Sequence, residues 1–290
     1  METKSSKQAI FITGPTAVGK TNVALQLAQW LGTEIVSFDS RQFYRELKIG
    51  AAPPTEEELQ LVSHHLIGHL SVKEEFNAGQ FETAAMALLQ KLFKKYDRVL
   101  LVGGSGMYMN ALAEGFDTMP AADPKKRKDL NEIYRQKGLS PLQKELKIKD
   151  PKYYKEVDPN NPQRLIRALE VIRTTGQQYS DFRKGAVKSR PFDILKIGLN
   201  LPRALLYERI NSRVDQMMAT GLLQEVKSLV PYRGKNALQT VGYRELIRHL
   251  DGELSLEEAV VEIKKNSRRY AKRQLTWFRR DKENTLVFTN

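Results

Sequence analysis

The segment Gly14–Thr21, GPTAVGKT, fits the phosphate-binding loop pattern G-x-x-x-x-G-K-[ST]. In such a loop successive backbone N–H groups converge on an anion. Glycine lets the backbone come close, and the helix that follows offers its positive end. Lysine then reaches the outer phosphates and the next hydroxyl ligates Mg²⁺. Gly14, Pro15, Thr16, Ala17, Val18, Gly19, Lys20 and Thr21 are therefore expected to hold a diphosphate or nucleotide, with Thr21 on Mg²⁺. The flanks agree. Ala9–Thr13 (AIFIT) reads as a buried strand, and Asn22–Trp30 as a helix with Val23, Leu27 and Trp30 on one face.

Further along, EIVSF (Glu34–Phe38) and RVLLV (Arg98–Val102) read as strands, and Ala78–Tyr96 as an amphipathic helix. Strands alternating with helices imply a parallel sheet flanked by helices: an α/β, P-loop NTPase-like core. Between Ala122 and Arg167 lie 13 basic and 7 acidic residues with no convincing strand. Six prolines from Pro120 to Pro162 divide that stretch into short helices, and Asn161-Pro162 opens a longer one that Gly176 can end. Strand character returns at Asp193–Leu201, and a short run at Thr285–Phe288 closes the chain. A helical insertion domain is expected over 118–190, within a core formed by 1–117 and 191–290.

The 290 residues carry 47 Lys and Arg against 34 acids, a formal charge of +13. That balance favours a polyanionic partner, nucleic acid first. Cysteine is absent, which removes disulfides, thiolate catalysis and Cys-based zinc sites. No 18-residue apolar run and no secretory leader are present, so a soluble, cytoplasmic protein is expected.

ATPases and GTPases of this fold place a second Mg²⁺-binding acid at the end of a neighbouring strand. The strand RVLLV ends instead in Gly103-Gly104. The acid follows the second strand, in SFDSRQFY, as Asp39. Parallel strands present their C-terminal ends to one crevice, so Asp39 is expected near Lys20 and Thr21, where it could accept a proton; helix capping is the other reading of the same residue. GGSGMY (Gly103–Tyr108) also sits at a strand end and offers Ser105. Arg209 and Arg213 share one face of a helix, and one of them could close over phosphates. His64, His65 and His69 lack a third acidic ligand nearby and read as packing rather than a metal site.

From Lys264 to Arg280 there are eight basic residues and no acid. Val260, Ile263, Ala271, Leu275 and Phe278 trace an apolar stripe, leaving Lys265, Arg269, Lys272 and Arg279 on an outward cationic face suited to a polyanion. Tyr270 and Trp277 are read as structural anchors, with base stacking as the alternative.

Six blocks, GPTAVGKT, SFDSRQFY, LVGGSGMYMNAL, NPQRLIRALEVIRTTG, TVGYRE and YAKRQLTWFR, together resemble the bacterial tRNA dimethylallyltransferase (tRNA isopentenyltransferase) family over almost the whole chain. The resemblance implies transfer of a dimethylallyl group from dimethylallyl diphosphate to N6 of adenosine 37 in tRNAs reading codons that begin with U. It implies diphosphate binding by Gly14 to Thr21, Asp39 as general base, Ser105 in the place of a usual threonine, and Lys20 and Arg213 on the diphosphate. Contacts to the tRNA anticodon stem-loop are implied for Asp39, Ser40, Arg41, Gln42 and Ser105, for Arg127, and for Gln163, Arg164, Leu165, Ile166 and Arg167. The same is implied for Gln239, Thr240, Val241, Gly242, Tyr243 and Arg244. A monomer is expected. The chain departs from the family pattern in GAAPP (Gly50–Pro54) for GTAKP and in DPNN (Asp158–Asn161) for HPND. The rival readings are a P-loop small-molecule or nucleoside kinase, in which the loop binds ATP, and an RNA-binding module gated by a nucleotide.

Overall fold

The computed structural model describes residues 7–185, 187–281 and 284–288; the polar N-terminal residues read above as leaderless lie outside them. Six strands form one parallel sheet: β1 (Gln8–Thr13), β2 (Ile35–Ser37), β3 (His64–His65), β4 (Arg98–Val102), β5 (Asp193–Asn200) and β6 (Asn284–Phe288). Their order is β3-β2-β4-β1-β5-β6. The central strand β1 has no polar face: Ala9, Phe11 and Ile12 are fully buried, as a strand covered on both sides by helices requires.

Register decides what meets at the carboxyl ends. Ile12 pairs with Val102 and Val102 with Ser37, while Thr13 pairs with Gly198. The Phe38 N–H donates to Val102 O (2.9 Å) and the Gly103 N–H to Ile12 O (3.2 Å), so the ladder runs into the loops beyond the strands. The loops after β1, β2 and β4 therefore leave the sheet side by side.

The helix after the phosphate loop, Lys20–Leu31, buries Ala24, Leu25 and Ala28 against Ile10, Ile12, Ile35 and Leu100. The expected face was one step off: Val23 and Leu27 flank the contact, and Trp30 is 79% exposed. Residues 23, 27 and 30 share one helical line and residues 24, 28 and 31 the next. The two small alanines select the second, because they allow closer approach to the sheet.

The chain divides into two compact units, Gly115–Lys188 and the remainder. The first is helical, with helices Pro124–Lys137, Ser140–Lys149, Pro151–Glu156, Pro162–Thr175 and Tyr179–Phe182. Asn161 caps the fourth helix by accepting from the Arg164 N–H (3.2 Å), and Gly176 ends it in the left-handed conformation. The core of this unit includes Leu130, Leu142, Leu146, Leu165, Ile166 and Leu169. Two fully buried carboxylates are satisfied within it. Asp150 accepts from the Tyr153 and Ser180 N–H groups and the Ser180 hydroxyl. Glu170 accepts from the Asp123 N–H (2.9 Å) and pairs with Arg127 (2.7 Å) and Arg167 (3.0 Å). Among the described residues no helix is long and apolar enough to cross a membrane.

Glu170 is the common acceptor of two arginines and a helix N-cap. Its removal strands two guanidinium groups around a buried space, so Glu170→Ala is expected to cost about 2–4 kcal/mol. Urea unfolding of the purified protein, followed by circular dichroism, checks this.

Candidate active site

The phosphate loop takes its shape from three left-handed positions, Gly14 (φ 144°), Ala17 (φ 65°) and Gly19 (φ 98°). A Cβ on Gly14 would lie 2.7 Å from Leu199 O, so the loop passes β5 too closely for any side chain there. Ala17 carries the strain of a non-glycine residue in that region, the kind of cost found where backbone N–H groups must converge. Lys20 Nζ donates to Gly14 O (3.1 Å) and Pro15 O (2.8 Å), which holds the ammonium over its own loop.

A cavity of about 650 Å³ opens beside this loop, lined by Thr16, Ala17, Gly19, Lys20 and Thr21. Gly14, Pro15 and Val18 do not line it; they shape the turn from behind, and Val18 is buried in the core. Asp39, Ser40, Arg41 and Gln42 form a second wall, and Arg213 a third, with Ile210, Val214 and Met217 on the same helix, Arg203–Ala219. Arg209 does not reach the cavity.

The charges here act on one another. Burial pulls the Lys20 ammonium down to about 8; the nearby Asp39 carboxylate opposes that shift, and Arg213 adds to it. Burial likewise lowers Arg213, with Asp39 again opposing. Tyr270 is pushed up to about 12, by burial first and then by Asp39. One carboxylate thus faces two buried cations and a neutral phenol.

Hydrogen bonds fix the second wall. Asp39 Oδ1 accepts from the Arg41 N–H (2.9 Å), so the carboxylate caps its own turn through one oxygen. The Ser40 N–H donates to Ser105 Oγ (3.1 Å), and the Ser105 hydroxyl donates to Ser40 Oγ (3.2 Å), joining the loop after β2 to that after β4. Arg41 donates to Asn236 O (2.8 Å), next to the segment Gln239–Arg244. Within that segment Gln239, Thr240, Val241, Gly242 and Arg244 line the cavity. Tyr243 does not. Its ring is fully buried under Gly50 and its hydroxyl donates to Glu225 (2.6 Å), so its side chain supports the segment from beneath.

The side chains of Leu165 and Ile166 are likewise buried, in the helical unit. Arg127 and Arg167 are tied to Glu170, while Gln163 and Arg164 stand exposed on that unit.

The long helix Leu256–Phe278 supplies the fourth wall through Ile263, Ser267, Tyr270, Arg273 and Gln274. Its buried line is Ala259, Ile263, Ala271, Gln274 and Phe278; Val260 and Leu275 are only partly covered. The cationic face is less uniform than its sequence suggests. Lys264 pairs with Asp215 (2.6 Å) and Lys265 with Glu262 (2.7 Å), whereas Arg269, Lys272, Arg273, Arg279 and Arg280 are exposed. Acids from one turn earlier and from another helix reach what the linear segment shows as acid-free.

The histidines pack. His65 pairs with Glu34, His69 lies against Phe43 and Phe76, and His64, which borders the cavity, bonds Val62 O through Nδ1 (2.8 Å).

Residues 42–281 match the IPP transferase family. This chain belongs to it. A tRNA dimethylallyltransferase of Bacteroides fragilis is 49% identical over 279 residues, covering 96% of this chain and 93% of the relative. The tRNA isopentenylpyrophosphate transferase of Bacillus halodurans superposes with a TM-score of 0.72 at 40% identity, over 97% of this chain and 90% of that one. A eukaryotic dimethylallyltransferase acting on tRNA superposes at 0.79 with 27% identity, over 98% and 74%. The family is one of prenyl-transferring enzymes, and its P-loop NTPase-like fold is the one described above. Sequence reasoning missed Gln274, the polar residue on an otherwise apolar helical line; that mismatch was its only signal.

Anion affinity at the loop is expected to fall as pH rises through about 8, because Lys20 then gives up its proton. Below that value the ammonium is charged and attraction is full. Lys20→Arg keeps a charge across the range and flattens the profile. Calorimetric titration with inorganic diphosphate from pH 7 to 9.5 measures both.

Proposed function

We propose that the protein transfers a dimethylallyl group from dimethylallyl diphosphate to N6 of adenosine 37, in tRNAs reading codons that begin with U, and releases diphosphate. The observation that carries this reading is the shared cavity of Lys20, Asp39 and Arg213, with glycines where a nucleotide-hydrolysing relative would carry its second acid. Membership of the IPP transferase family supports the same chemistry.

In alkyl transfer from an allylic diphosphate, positive charge spreads over the allyl carbons while negative charge builds on the leaving group. The loop N–H groups, Lys20 and Arg213 would answer that charge, in a recess where each cation has lost part of its hydration. The adenine N6 amine is a weak nucleophile because its lone pair is delocalised into the ring. Asp39 would take its proton as the new C–N bond forms. One Asp39 oxygen is engaged by the Arg41 N–H, which orients the carboxylate. Ile210, Val214 and Met217 give the prenyl group an apolar wall beside Arg213.

Mg²⁺ fits this site through Thr21, whose side chain stands next to Lys20 on the cavity; the ion commonly binds through few protein oxygens together with substrate phosphates. Bound there it would offset diphosphate charge. Among the described residues no cluster of three His, Cys, Asp or Glu offers another metal site.

The tRNA would be gripped through its phosphates by exposed cations: Arg269, Lys272 and Arg273 on the long helix, and Arg164 on the helical unit. Adenosine 37 must leave its stack to enter the cavity. The protein is proposed to act as a monomer, and a tRNA substrate favours a cytoplasmic setting.

Asp39→Ala is expected to keep tRNA affinity while turnover falls by about 10²–10⁴-fold. Incubation with unmodified tRNA and labelled dimethylallyl diphosphate, in parallel with labelled ATP, tests the reading as a whole: prenyl transfer supports it, phosphorylation makes the protein a kinase, and binding without turnover makes it an RNA-binding module. Charge reversal at Arg269 and Lys272 together should weaken tRNA binding and flatten its dependence on salt by about two phosphate contacts. Unchanged affinity in filter binding over 50–200 mM salt, about the range where such contacts tell, would reduce that face to a solvated surface.

A further inference from the structure

Gln274 is a buried amide, 6% exposed, on a helical line otherwise made of apolar residues. Both ends of its amide are used. Oε1 accepts from the Thr16 N–H (2.9 Å), in the phosphate loop, and Nε2 donates to Gly104 O (2.8 Å), in the loop after β4. Those two loops belong to adjacent strands but are joined here by a side chain 170 residues beyond the second of them.

The glycines of GGSG record the same contact from the other side. A Cβ on Gly104 would overlap the Gln274 amide, and one on Gly106 would overlap the Trp277 indole. Gly104 and Gly106 therefore keep room for two residues of one helix, three positions apart on one face. Trp277 Nε1 also reaches Asn110 Oδ1 at 3.5 Å. Ser105 stands between the two glycines and is bonded to Ser40, next to Asp39. The helix that docks on these loops carries Arg273 into the cavity and Arg269 and Lys272 to its outer face.

We infer that Gln274 is a positioning residue for prenyl transfer: it fixes the Thr16 backbone of the phosphate cradle against the Ser105 loop, and so sets the spacing between the leaving-group site and the Asp39 wall. This rests on the function proposed above. Thr16 is the residue before Ala17, whose left-handed backbone sets the turn of the loop. Holding the Thr16 N–H fixes the peptide plane from which that turn starts. A helix bearing the outward cations is thereby tied directly to the cradle.

Two changes separate positioning from simple support. Gln274→Met keeps length and apolar bulk but removes both hydrogen bonds. Gly104→Ala leaves Gln274 in the sequence and displaces its amide. Each is expected to lower kcat for prenyl transfer by about 10–100-fold, the range a misplacement of about 1 Å can cause. Each should also weaken affinity for inorganic diphosphate, with KM for tRNA held within about two-fold, since the exposed cations Arg269 and Lys272 of the same helix are left in place. Because both act through one amide, Gly104→Ala should do little further harm in a Gln274→Met background.

Unchanged kcat and diphosphate affinity in Gln274→Met would overturn the inference. So would independent, multiplying losses in the double variant. So would losses in kcat, tRNA binding and ellipticity that fall together, the pattern of a chain that is partly unfolded. If the unaltered protein binds diphosphate yet transfers no prenyl group, it is the proposed function that fails, and the diphosphate arm still reads whether Gln274 sets the cradle.

Discussion

Val102 has Ile12 on one side of it and Ser37 on the other, and the working groups of the cavity hang from that register. Parallel strands in register end together, so the phosphate loop, the Asp39 turn and the Ser105 loop emerge within reach of one another. A shift of β2 by one residue would turn its buried side chains to the opposite face, where the packing of Ile35 and Val36 would be lost. The position of the carboxylate is therefore fixed by apolar burial several residues away from it. The hydrogen bonds of Asp39 and Ser40 add orientation to a placement already made.

That placement is electrostatically costly. Lys20 and Arg213 are both disfavoured as cations by burial, Arg213 lowers Lys20 further, and Asp39 opposes both shifts. An arrangement made for stability would add a second acid or expose one cation. Keeping the excess positive suits a polyanionic guest, whose charge replaces the missing counter-ions. The same logic explains why Lys20 leans on Gly14 O and Pro15 O: carbonyl oxygens partly neutralise an ammonium that water reaches poorly.

How far the chain could be read from its residues follows from the range of the forces involved. The phosphate loop is a local object, eight residues whose glycines and lysine are contiguous, and its place between strand and helix is visible in the sequence. Asp39 needed one further step, that parallel strand ends converge. Arg213 needed the family resemblance, since Arg209 is equally well spaced and only the seating of helix Arg203–Ala219 turns one of them inward. Trp30 was misplaced because two neighbouring helical lines are both apolar and their choice depends on how close the sheet lies. Leu165, Ile166 and Tyr243 are buried within the segments QRLIR and QTVGYR, and a linear motif does not separate its exposed residues from those that hold the backbone. The acids that pair Lys264 and Lys265 come partly from another helix, which linear charge counting misses.

Backbone support of this kind also bears on the departure at GAAPP. The segment lines the cavity through Gly50, Ala51, Ala52 and Pro54, and it is held from beneath. The Glu225 carboxylate accepts from the Ile49 N–H (2.7 Å), the Gly50 N–H (3.1 Å) and the Tyr243 hydroxyl. A Cβ on Gly50 would strike the Tyr243 ring, and Ala52, at φ 44°, offers its carbonyl to Gln42 Nε2 (2.9 Å). Every one of these contacts uses backbone or the residues shared with the usual pattern. None uses the side chains at Ala51 or Pro53, where threonine and lysine are usual. The loop's shape is thus specified by Glu225, Tyr243 and Gln42, and Pro53, which restricts the residue before it, adds stiffness. What the two replacements take from this chain is one hydroxyl at position 51, on the cavity lining, and one ammonium at position 53, outside that lining, while the backbone that accepts the Gln42 amide is held without either.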